Sequence, residues 1–83
     1  MADRSDRIDR DGPVSVWSQV AADLAAEITS GVLAAGARLP AEPELAGVYG
    51  VSRITVRHAI RDLAARGLVV VSRGRGTYVT DRG

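Results

Sequence analysis

Tyr49-Gly50-Val51-Ser52-Arg53-Ile54-Thr55-Val56-Arg57-His58-Ala59-Ile60-Arg61-Asp62-Leu63-Ala64-Ala65-Arg66-Gly67 is the stretch whose reading decides the fold. Gly50 accepts the positive φ of a tight turn, and Ser52 has the short hydroxyl side chain that caps a helix start. From Arg53 to Arg66 the apolar residues Val56, Ala59, Ile60 and Leu63 recur at helical spacing and share an arc of about 100°. Ile54, Arg57, His58 and Arg61 fall on the opposite side. One face therefore packs, the other faces outward with its Arg residues, and Gly67 stops the helix.

Upstream, Ala41 to Tyr49 reads as a short helix with Leu45 and Val48 toward the core. Pro43 is tolerated in its first turn, where a missing N–H costs nothing, and Glu42 and Glu44 suit the positive end of the helix dipole. Arg38 and Leu39 form a short extended piece, because Pro40 disfavours helix at Leu39. Val32 to Ala37 reads as a turn. Before it, Trp17, Val20, Ala21, Leu24 and Ile28 mark an amphipathic helix from about Val14, with Ser15 as N-cap and Gly31 as its stop. Trp17 is expected in the core or at a dimer interface. Met1 to Gly12 alternates Asp with Arg and has almost nothing apolar, so a flexible arm is expected.

Downstream, Leu68 to Ser72 and Thr77 to Thr80 are β-branched runs separated by Arg73-Gly74-Arg75-Gly76, the pattern of a hairpin with a basic tip. The expected architecture is α+β and mainly α: three helices closed by a C-terminal two-stranded sheet. Residues 1–12 form the arm, 13–80 the domain, and 81–83 a tail or the start of a linker.

Composition narrows the function. Hydrophobic residues make up 46% and charged residues 25%, the balance of a folded domain. There is no Cys and a single His, so neither a disulfide framework nor a structural metal site is expected, and no cofactor either. The longest aliphatic run, Leu68 to Val71, falls far short of the roughly 20 residues that span a bilayer. The first residues lack the apolar core of a secretory signal, so a cytoplasmic location is the default. No catalytic constellation is in place, and an enzyme is not expected. The net charge of +1 hides an asymmetry: residues 1–50 carry four Arg against eight acids, and residues 51–83 carry seven Arg against two. A polyanion belongs on the C-terminal part.

Two helices joined by a glycine turn, the second basic on its outer face, followed by a hairpin with an Arg-Gly-Arg-Gly tip, is the layout of a winged helix-turn-helix. An α-helix fits the B-DNA major groove and its N-terminal residues reach base edges first. Here those are Ser52, Arg53, Ile54, Thr55 and Arg57. Arg pairs bidentately with guanine, Ser and Thr donate to phosphate or base, and an outward Ile meets a thymine methyl. His58, Arg61 and Arg66 read first as solvated surface, with a phosphate contact as the alternative for each. The alternative is a winged-helix protein-interaction module with an incidental basic face.

Val16-Trp17-Ser18-Gln19-Val20, Gly31-Val32-Leu33, Gly36 to Glu42, Leu45-Ala46, Tyr49 to Arg53, Thr55-Val56-Arg57 and Gly74 to Val79 together resemble the N-terminal domain of GntR-family bacterial transcription regulators. The likeness runs from about Val14 to Thr80 without gaps and looks most like the HutC-type branch. It implies a homodimer on a palindromic double-stranded DNA operator, with the recognition helix in the major groove and the wing in the minor groove. Carried over by position, it implies contacts from Ser52, Arg53, Thr55 and Arg57 and from Arg73, Gly74 and Arg75. It also implies an effector-binding domain, for which 83 residues leave no space. Two departures stand out. Ala41 takes the place of a capping Ser, at an expected cost of about 1 kcal/mol unless the backbone compensates. Pro43 stands where some members have a basic residue, so that DNA contact is not expected here.

Overall fold

The computed structural model describes residues 1–81; Arg82 and Gly83, the end of the expected tail, lie outside the described residues. Three helices, α1 (Val16–Ser30), α2 (Glu42–Tyr49) and α3 (Arg53–Ala65), precede two strands, β1 (Val69–Ser72) and β2 (Gly76–Val79). Both helix starts that end in Ser are capped as the sequence implies. The Ser15 side chain accepts from the Ser18 amide and Ser52 from the Thr55 amide. Gly31 and Gly50 close α1 and α2 in the left-handed conformation.

The core is built from one stripe of each helix. Val20, Ala21 and Leu24 of α1, Leu45, Val48 and Tyr49 of α2, and Val56, Ala59, Ile60 and Leu63 of α3 are buried, and Leu39, Val69 and Val79 close the bottom. α3 packs against both α1 and α2. Each fully buried Leu or Val contributes about 1.5 to 3 kcal/mol relative to exposure, so the central position of α3 follows from its stripe being the most continuous.

α2 begins without a side-chain cap, since Ala41 has none to offer. The Ala41 carbonyl accepts from the Leu45 amide at 2.9 Å, and Pro43 removes one of the amides that a cap would have served. The compensation is therefore a missing donor. α3 ends at Ala65, one residue earlier than expected, with Arg66 as the cap residue and the Leu68 amide bonded back to the Leu63 carbonyl at 2.9 Å.

β1 and β2 pair antiparallel, with Val69 opposite Val79 and Ser72 opposite Gly76. The extended piece expected at Arg38 and Leu39 lies on the far side of β2. The Val79 amide donates to the Ala37 carbonyl, the Leu39 amide to the Thr77 carbonyl (both 2.8 Å), and Arg38 forms an isolated bridge with Tyr78. The hairpin is thus anchored to the segment that leads into α2.

The expectation of a flexible arm over 1–12 does not describe this structure. Ser5–Arg7 form a 3₁₀ turn, Ile8 is 8% exposed within the core, and the Arg4 amide donates to the Val48 carbonyl at 2.7 Å. The Arg4 guanidinium reaches Asp23 (3.0 Å), Glu27 (2.8 Å) and the Tyr49 hydroxyl (3.2 Å), and Arg7 also bonds Asp23 at 3.0 Å. The Tyr49 hydroxyl donates to Asp23 at 2.6 Å. The alternation of Asp and Arg suggests a flexible arm, but two of those Arg residues satisfy carboxylates on α1 and one apolar residue fills the core.

Of the two places expected for Trp17, the core is not the one it takes: it is half-buried, outside the buried core, and from the first turn of α1 its ring lies on His58.

Burial works to raise the Asp23 pKa, but hydrogen bonds from Tyr49 and Arg7, the charge of Arg7 and the bond from Arg4 outweigh it and hold the carboxyl below its usual value. A depressed folded pKa contributes stability above the unfolded value, which is lost as pH falls through the folded one. Tyr49→Phe is expected to cost about 1 kcal/mol, read as a drop in melting temperature of about 4 to 8 °C for a domain of this size. Asp23→Asn should lower stability at neutral pH and flatten its fall as the medium is acidified below the ordinary carboxylate range, checked by denaturant titrations at neutral and acid pH.

Candidate nucleic-acid interface

The turn between α2 and α3 is held by backbone. Gly50 has φ +64 and ψ 41, and the Val51 amide donates back to the Ala46 carbonyl at 3.0 Å. The positive φ favours glycine at 50, and a Cβ there would also press on Arg10 Nη2 at 3.1 Å and Ser5 Cβ at 3.2 Å. Arg10 closes the turn from outside, donating to the Gly50 carbonyl at 2.7 Å and the Tyr49 carbonyl at 3.3 Å.

α3 then presents its first turns. Ser52, Arg53 and Arg57 are exposed, Ile54 is 77% exposed and Thr55 is half-buried. Besides capping the helix, Ser52 Oγ donates to Thr55 Oγ1 at 2.9 Å, which leaves the Thr55 hydroxyl with its own proton to give. Residues assigned from the sequence to the helix start are therefore brought onto one surface. The hydroxyl of Ser52 is spent on the cap.

One contact was not legible. The Arg57 guanidinium donates to Glu42 Oε1 at 3.1 Å, both side chains being partly exposed. The hydrogen bond to Glu42, then its charge, raise the Arg57 pKa. Glu42 was read only as a complement to the α2 dipole; its position at the first helical residue also places it beside α3. Further along, Arg66 pairs with Asp62 at 2.7 Å.

The wing brings Arg73, Gly74 and Arg75 to an exposed tip. The Arg75 amide donates to the Ser72 carbonyl at 3.0 Å, and Gly74 takes φ +79 at the third position of that turn. Tyr78 steadies the tip by donating from its hydroxyl to the Arg75 carbonyl at 3.3 Å. At the base, a Cβ on Gly76 would come within 2.8 Å of Arg38 Nε. Arg38, exposed and absent from the sequence assignment, thus lies across the foot of the wing. It lines a cleft of about 320 Å³ with Glu42, Arg73, Gly74 and Thr77, between the start of α2 and the wing. The surface offers guanidinium donors around a concave junction, with Glu42 as its acid.

Comparisons with known proteins bear on this arrangement. The model of the family described as bacterial regulatory proteins, gntR family, matches residues 17–79. The HTH-type transcriptional repressor NagR of Bacillus subtilis is 37% identical over 73 residues, covering 88% of this chain and 30% of that protein. The histidine utilization repressor of Klebsiella aerogenes is 36% identical over 72 residues, covering 87% and 30%. The chain thus spans about a third of these relatives' length. A crystal structure of AraR(DBD) in complex with operator ORX1 is similar with a TM-score of 0.81 at 32% identity, covering 96% of this chain and 99% of that one.

Glu42→Gln is expected to release Arg57 and remove a carboxylate from the basic surface. Affinity for arbitrary duplex DNA should rise about threefold or more, since one more cation is free to neutralise phosphate, measured by fluorescence anisotropy across a salt series. An unchanged affinity would mean that the pair does not restrain Arg57.

Proposed function

Because the chain belongs to the GntR family of bacterial regulatory proteins, we propose that it is the sequence-specific, double-stranded DNA-binding domain of a transcription regulator, acting as a repressor in the cytoplasm. The observation that carries this reading is the joint exposure of the α3 start and the wing tip on a scaffold matching, nearly end to end, a domain solved on its operator. The curated relatives are named as transcription regulators, and we assign no catalytic role. Among the described residues, no helix is long and apolar enough to cross a membrane.

Arg53 and Arg57 would read base edges, Ile54 a thymine methyl, and Thr55 a phosphate or base, with Ser52 holding the helix start in position. Arg73 and Arg75 would follow the minor groove, where Gly74 lets the backbone approach the sugar-phosphate wall. Phosphate contacts would set affinity and register, with a slope of log K against log salt of about −0.9 per phosphate neutralised. The operator is proposed to be palindromic and bound by two copies, with ligand sensing assigned to a domain outside this chain.

Enrichment of a random duplex pool by the 83-residue chain at about 0.1 M salt is expected to recover half-sites about one helical turn apart. On that sequence Arg57→Ala should weaken binding by about 1 to 3 kcal/mol and relax preference at one base position. Retention of no duplex would overturn the reading in favour of a protein-interaction module, and equal retention of all sequences would overturn its sequence specificity for this chain by itself.

A further inference from the structure

We propose that His58 binds a DNA backbone phosphate from the flank of α3, with Trp17 of α1 as the residue that positions its ring. The inference rests on the DNA-binding reading; the sequence alone ranks this contact below plain solvation, and the stacking on Trp17 reverses that order.

The two rings stack with centroids 3.9 Å apart and planes inclined by 15°. His58 is exposed and Trp17 half-buried, so the imidazole lies on a platform that is fixed on its inner side. At 100° per residue, His58 stands about 40° round the helix from Ile54 and one turn further along. It therefore shares the outward arc of Ile54 and Arg61. Arg57, tied to Glu42, marks the edge of that arc toward α2. His58, resting on Trp17, marks the edge toward α1.

A helix of roughly 10–12 Å diameter nearly fills a major groove about 12 Å wide. Side chains at the middle of its outward arc meet base edges; at its edges a long side chain such as Arg57 still reaches a base, whereas a short one meets the sugar-phosphate wall. An imidazole is too short to reach a base from the second turn of such a flank, but a phosphate oxygen on the wall is within range of a ring N–H. Among the described residues neither the imidazole nor the indole makes a hydrogen bond within the chain, so the ring nitrogens of His58 are free to meet a ligand. The indole beneath keeps the imidazole from lying flat along α3 and orders it before DNA arrives. Less rotamer freedom is then lost on binding.

The test uses the 83-residue chain and the duplex it selects, with single phosphates replaced in turn by neutral methylphosphonates. One backbone position is expected at which neutralisation weakens the wild type about three- to tenfold, the scale of one charge-assisted hydrogen bond at a wet interface. At that same position His58→Ala should lose nothing further. His58→Gln, which keeps an N–H donor, should regain part of the effect. Trp17→Leu should reduce it at this position alone, whereas a general loss of stability would weaken all positions equally. Coinciding phosphate profiles for wild type and His58→Ala would overturn the inference, and if Arg57→Ala still weakened binding, the DNA-binding reading would stand without it. A wild type that selects no duplex overturns both.

Discussion

The burial of one side of α3 is the constraint on which the rest of the molecule depends. Val56, Ala59, Ile60 and Leu63 are all at or below 4% exposure, and their removal from water fixes both the axis and the rotation of the helix. Once that rotation is set, Ile54, Arg57, His58 and Arg61 have no inward place to go. α1 and α2 supply the apolar surfaces that the stripe needs, and the strands close the open end through Val69 and Val79. The exposed basic surface is the complement of the packing.

Charge is arranged with the same economy. The acids of the first half of the chain are not all turned outward: Asp23 and Glu27 are engaged by Arg4 and Arg7 at the junction with Tyr49. These groups are only partly withdrawn from water, so their net contribution to stability is modest, and they act mainly by fixing which partner each takes. With two acids paired internally, the excess of Arg in the second half faces solvent with Glu42, at the edge of α2, as the nearby counter-charge on Arg57. Those internal pairs take two acids and two Arg from the same half, so the asymmetry visible in the sequence passes into the fold unchanged, offset only where Glu42 meets Arg57.

How much of this was legible depends on the range of the contacts. Helix α3, its Ser52 cap and the glycine turn before it are local features, and periodicity alone locates them. The hairpin and the bridging segment at Arg38 follow from β-branched runs and from the residue before Pro40. The N-terminal segment was not legible, because its order comes from partners up to 45 residues away. Composition sees only the entropy that such a segment must lose. Trp17 had the right helical phase for the core, but phase does not say how far along a helix the neighbouring elements extend. The candidate site shows the same division: the exposed face of α3 and the Arg-rich tip could be read residue by residue, while the pairing of Arg57 with Glu42 and the rings of Trp17 and His58 join separate elements.

The docked N-terminal segment has a consequence for what counts as the domain. The stretch shared with the family begins at Trp17, yet Ile8 fills the core, Arg4 completes the hydrogen bonding around Tyr49, and Arg10 holds the carbonyls of the turn before α3. The unit that folds is longer than the stretch the family model matches. Cutting the chain to that stretch would leave every matched residue in place, yet it would open the site Ile8 fills in the core and release the carbonyls of the turn ahead of α3.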